Sequence, residues 1–181
     1  MIFNSGNFGL FRRNHREPDR PVIRPEMGPI DWLIEVIALW GLMFFSGYVI
    51  YNFSHLPETL PTHFNGSGQA DEYGDKFSFL ILPGVALLIY ILLTLISLFP
   101  YRFNFTVKIT PVNALRQYTM ATRMVRILKV NLIWGFFYLS YATIQVAKGI
   151  ASGLGLLFIP VFLGIILIPL VIYFIMAKMK S

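Results

Sequence analysis

The sequence predicts an all-α membrane protein: a four-transmembrane-helix bundle with both termini cytoplasmic, a structured extracytoplasmic loop and a cytoplasmic amphipathic helix. Three observations carry this. Hydrophobic residues make up 56% of the chain and collect in four long runs rather than spreading evenly. A helix needs about 20 apolar residues to cross the hydrocarbon core, and each run supplies them. Lys and Arg then alternate between rich and poor connections, as they do on the two sides of a membrane.

In chain order, residues 1–28 hold Pro18, Pro21, Pro25 and charges of both signs, and read as a flexible cytoplasmic tail. Residues 29–181 read as a single four-helix transmembrane domain. No short basic start followed by a cleavage site precedes the first apolar run, so that run is expected to stay as an anchor. Pro29 and Asp31 open it, with Asp31 as a candidate N-cap and Glu35 one turn further in. The spans are expected at about 33–53, 77–99, 127–147 and 154–176, as helices, because lipid offers the backbone no hydrogen-bond partner. Pro83, Pro160 and Pro169 fall inside the second and fourth and predict kinks. Trp32, Tyr51, Tyr101 and Trp134 lie near the expected membrane interfaces.

The tail, the three connections and the C-terminus carry five, one, six, one and two Lys or Arg in turn, counting Lys129 at the start of the third span with the middle connection. That alternation puts the termini and the middle loop in the cytoplasm and the Ser54 to Lys76 loop outside, in a multi-pass cell-membrane protein. All nine acids lie at or before Asp75. The net charge of +6 therefore faces a membrane surface rather than nucleic acid.

The middle loop has two parts. Arg102 to Lys108 alternates, with Phe103, Phe105 and Val107 on one face, which is a strand-like period of two. Thr110 and Pro111 then predict a helix start. That helix carries Arg116, Arg123, Arg126 and, where it meets the third span, Lys129. They are expected to contact anionic phospholipids at the inner surface, at about 1 kcal/mol each. Binding to a cytoplasmic regulator is the other reading of this surface.

The outer loop is longer than an ordinary helix connection. Pro57 and Pro61 stiffen it, and Gly66, Gly68 and Gly74 offer turn conformations. It holds His55, His63, Glu58, Asp71, Glu72 and Asp75. His63 and Asp71 are the metal candidates if they meet across a turn, although the spacing matches no metal motif. Alternatively they bond backbone, and Lys76 pairs with Asp75 or Asp71.

His63-Phe64-Asn65, then Gly68, Asp71, Gly74 and Lys76, preceded by Leu56-Pro57 and Leu60-Pro61, resemble the signature of SdpI-like small bacterial membrane proteins. Leu60 and Tyr73 stand where that pattern has Ile and Trp. Phe105 to Thr110, Asn113-Ala114 and Arg116 to Tyr118 resemble four-span members as well. The resemblance covers about residues 50–130 and includes a domain of unknown function. It implies a protein that protects against, or senses, membrane-active peptides, with the His63, Phe64, Asn65, Gly68, Asp71, Gly74 and Lys76 motif as recognition surface. The best-known immunity protein of that family has more spans than this chain.

Other chemistry is sparse. The chain has no cysteine, which removes disulfides and thiolate chemistry. No catalytic triad order, phosphate loop, cofactor fingerprint or nucleic-acid motif is visible, and no cofactor is expected. Asn131, Ser140, Thr143 and Gln145 make the third span the most polar, suited to hydrogen bonds between helices. Two further readings stay open: a metal-dependent membrane enzyme at the outer face, and a small oligomeric transporter or channel lined by the third span.

Overall fold

The computed structural model describes residues 20–179. Four helices are long and apolar enough to cross a membrane: α1 (Pro29–Phe53), α2 (Ile81–Ser97), α3 (Ala114–Ala147) and α4 (Phe158–Met179). Between α1 and α2 lie two strands, β1 (Thr59–Phe64) and β2 (Ala70–Asp75), and a 3-10 turn over Lys76–Leu80.

Local chemistry explains the boundaries. Pro29 occupies the first turn of α1, where its missing N–H costs nothing. Asp31 sits one turn inside rather than at the cap: its carboxylate accepts the Gly28 N–H at 3.1 Å. Pro83 and Pro160 also fall in first turns, so only Pro169 interrupts a helix. Asp75 caps the 3-10 turn by accepting the Phe77 N–H at 2.7 Å.

Before α3, Thr110 and Asn113 bond reciprocally. The Thr110 N–H donates to Asn113 Oδ1 at 2.8 Å, and the Asn113 N–H donates to Thr110 Oγ1 at 3.3 Å. From Ala114 the backbone then runs unbroken for 34 residues. The expected cytoplasmic helix and third span are therefore one helix, about 51 Å long at 1.5 Å per residue.

The strand-like stretch Arg102 to Lys108 forms no strand. Its alternation is still real. Phe103, Phe105, Val107 and Ile109 turn inward while Arg102, Asn104, Thr106 and Lys108 are exposed. An extended chain keeps two faces without a ladder partner. Here the inner face packs on Ala114, Tyr118 and Ile23. Residues 20–28, expected as flexible tail, lie across this stretch: Arg20 Nη1 donates to the Phe103 carbonyl at 2.8 Å and the Tyr118 hydroxyl to the Pro21 carbonyl at 3.1 Å. The rest of the expected tail, residues 1–19, lies outside the described residues.

The helices do not close an even bundle. α3 is the hub, packed along α1, α2 and α4, and α4 has no other extensive helix contact. The main core joins Ala38, Leu42, Phe45 and Val49 of α1, Ala86 of α2 and Ile133 and Ile144 of α3 with Leu56, Leu60 and Phe79 below the hairpin. Gly41 of α1 lets Trp134 of α3 approach, and a Cβ there would sit 2.9 Å from Trp134 Nε1. Trp134 thus packs into the α1–α3 interface, against Gly41 and Trp40.

Candidate functional site

At one end of the molecule β1 and β2 form an antiparallel hairpin. Thr59 lies opposite Asp75 and His63 opposite Glu72, with irregularities on both sides of His63. Leu60 and Pro61 are buried, and β1 rests on α3. Asn65 builds the turn. Its side-chain oxygen accepts from Ser67 N–H (3.0 Å), Ser67 Oγ (2.7 Å) and Gln69 N–H (3.0 Å). Gly68 has φ +79°, and of the three loop glycines only it is left-handed. Gly74 serves close packing instead: a Cβ there would lie 2.8 Å from Thr62 Cγ2.

The turn is fastened to the α3–α4 connection. The Leu154 N–H donates to the Gly68 carbonyl at 2.7 Å, and Gln69 bridges to Gly153. A side chain at Gly153 would overlap that carbonyl. Lys76 Nζ donates to Glu58 Oε1 at 2.6 Å, not to Asp71 or Asp75, and lies 5.6 Å from the centre of the Phe53 ring. The register explains this, since pairing Thr59 with Asp75 puts residues 58 and 76 side by side.

His63 and Asp71 do meet, at 2.6 Å between Nδ1 and Oδ1. Both stay open to solvent, with side chains 58% and 42% exposed. The bond to Asp71, the charge on Asp71 and, more weakly, the charge on Glu72 raise the His63 pKa above its ordinary 6.5. The hairpin therefore displays an imidazole oriented by Asp71, more readily protonated than a free one and open to solvent. Among the described residues no three His, Cys, Asp or Glu side chains converge as a metal site. Beneath the hairpin lies a cavity of about 270 Å³, lined by Pro61, Thr62, Phe64, Ser78, Leu139 and Thr143 among others.

At the opposite end lies a charged network that sequence reasoning left in separate pieces. Asp31 takes a bidentate bond from Arg123, at 2.9 Å to Nε and 3.0 Å to Nη2. Arg126 bridges the two acids, at 3.2 Å to Glu35 and 3.4 Å to Asp31. Lys129, 0% exposed, donates to Glu35 at 2.6 Å and to Thr94 of α2 at 2.8 Å, and lies 4.6 Å from the Tyr90 ring centre. Of the four cations expected to meet lipid, only Arg116 stands exposed on the surface. Arg123, Arg126 and Lys129 direct their charges at α1, because a partner carboxylate at bonding distance outweighs a screened headgroup. Spacing carried the signal: Asp31 and Glu35 are four apart, and Arg123, Arg126 and Lys129 three apart. Each set thus shares one helix face.

Fold and site together define a multi-pass membrane protein with a structured hairpin at one end and a buried ionic network at the other. Residues 38–87, covering most of α1, the hairpin and the start of α2, match a domain of unknown function (DUF1648). A protein of Archaeoglobus fulgidus described as uncharacterized is 31% identical over 163 residues, covering 82% of this chain and 85% of that one. The chain belongs to the same family as this archaeal protein. No solved structure matches.

Proposed function

We propose that the chain is a cell-membrane protein with cytoplasmic termini whose hairpin recognises a membrane-active peptide at the outer face. Its role would be that of the SdpI-type immunity and sensor proteins. Charge supports the orientation. Among the described residues the network end carries Arg20, Arg24, Arg102, Lys108, Arg116 and the three network cations, whereas the hairpin end carries only Lys76 and Lys148.

The observation that carries the recognition role is the hairpin's mounting. Asn65, Gly74 and Lys76 brace it internally, Gly68 and Gln69 stitch it to the α3–α4 connection, and the His63 and Asp71 side chains are open to solvent. A rigid mount with a few exposed polar groups is what recognition uses, because preorganised groups lose little freedom on binding. The cavity beneath, lined by Pro61, Thr62 and Phe64 among others, suits an apolar side chain, and the exposed His63–Asp71 pair on the hairpin offers polar contacts.

The test is the combined replacement of His63, Asn65 and Asp71 by Ala in cells exposed to a secreted membrane-active peptide. Protection should disappear while the amount of protein in the membrane stays normal. Undiminished protection would remove the proposal.

A further inference from the structure

Three cations, Arg123, Arg126 and Lys129, face two carboxylates, Asp31 and Glu35, so the network holds one positive charge in excess. An unmatched charge at membrane depth is costly unless an anion answers it. The geometry identifies which cation is spare. Asp31 is engaged bidentately by Arg123, and Glu35 makes its shortest bond, 2.6 Å, to Lys129. Arg126 makes only the two longest contacts of the network, 3.2 and 3.4 Å. A guanidinium has five N–H donors, and Nη2 of Arg126 has no partner among the described residues. The residue is 8% exposed.

Arg126 also lines a crevice of about 270 Å³ between α1 and α2. Besides Arg126 the lining holds the Glu35 carboxylate, already bonded by Arg126 and Lys129, and Tyr90, Thr94 and Ser97; the rest of it is apolar. Its apolar part is formed by Trp32, Val36, Leu39 and Leu98, all exposed.

We propose that this crevice is a binding site for one net-anionic phospholipid, its phosphate on the spare donors of Arg126 and the start of its acyl chain along Val36, Leu39 and Leu98. The phosphate is matched by chemistry, since a guanidinium bonds phosphate oxygens with two donors at once. The net charge is matched as well. A zwitterionic headgroup brings its own cation and leaves the network unbalanced, whereas an anionic one balances it. The apolar half of the crevice distinguishes a lipid from free phosphate. Nothing in this site depends on the role of the hairpin.

The test is native mass spectrometry of the full chain, purified in mild detergent and offered phosphatidylglycerol, phosphatidylcholine or inorganic phosphate. One phosphatidylglycerol should be retained in preference to phosphatidylcholine, and inorganic phosphate should not displace it. Arg126→Gln and Val36→Trp should each lower retention about tenfold or more, the expected loss for one charge-assisted contact or a blocked entrance. Lys108→Gln, which removes the same charge from the same end, should retain lipid like the unaltered chain. Arg126→Gln leaves two cations facing two acids and should fold; if it does not, Val36→Trp decides alone. Equal retention of the two lipids, displacement by inorganic phosphate, or full retention in Val36→Trp would overturn the site.

Discussion

His63 takes on a proton more readily because of its acidic neighbours, Asp71 first and Glu72 more weakly. Its pKa is raised above 6.5 by the bond to Asp71. The pair's contribution to the hairpin is therefore complete below the ordinary value and fades as pH rises through the raised one. Ring resonances followed by NMR should titrate above 6.5 in the unaltered protein and return to the ordinary range in Asp71→Asn; identical midpoints would show that the bond does not form. The network gives a residue-scale prediction of larger size. Glu35→Ala leaves Lys129 buried without its carboxylate and should destabilise by about 3–5 kcal/mol. Replacing both, as Glu35→Leu with Lys129→Met, should recover most of that loss in thermal unfolding, since a buried pair contributes little beyond its apolar isostere. At this scale the sequence was partly legible. The eight-residue separation of His63 and Asp71 allowed them to meet across a turn, and they do. The partner of Lys76 was not legible, because it follows from strand register, which depends on how the bulges near His63 fall.

The helices themselves were readable, and their joints were not. The amphipathic helix expected to run into the third span does so, as one continuous α3, but a 3.6-residue period looks the same in a surface helix and in a span and marks no boundary between them. The alternation over Arg102 to Lys108 was correctly seen, but its cause is packing against α3 and residues 20–28, not a sheet. Pro169 in α4 is a joint with an identifiable remedy. Its missing N–H leaves the Ile165 carbonyl, four residues earlier, without a helix donor. The Asn131 side chain of α3 donates to that carbonyl at 2.8 Å. The polar character of the third span, legible as a means of joining helices, is thereby given one definite task. Asn131→Leu should cost about 0.6–1.7 kcal/mol in detergent unfolding. In a Pro169→Leu background, where a backbone N–H refills the carbonyl, the same change should cost little. Equal costs in both backgrounds would show that Asn131 is not repairing the break.

The molecule is fastened at both ends, by the stitch of the hairpin to the α3–α4 connection at one and by the ionic network joining α1, α2 and α3 at the other. Its orientation is open to direct measurement, because a chain without cysteine gives no labelling background. Glu72→Cys should react with a membrane-impermeant thiol reagent on intact cells, and Lys108→Cys only after lysis; the reverse pattern would invert the topology. Helix number was legible because length and apolarity suffice for it. The hub position of α3 was not, because a side chain facing lipid and one facing another helix are equally greasy, and α4, among the most hydrophobic helices, has only Ala177 fully buried among its described residues. That hub has a consequence for relatives. The segment matched by the family description, residues 38–87, ends before α3 begins, yet its buried side chains Phe45, Val49 and Leu60 are sealed by a core to which α3 contributes Ile133 and Ile144. Cut out alone, it would be a pair of rods with an unsealed seam. Any protein sharing only that stretch has to recruit a third rod, from its own downstream sequence or from a neighbouring subunit, before the hairpin has ground to stand on.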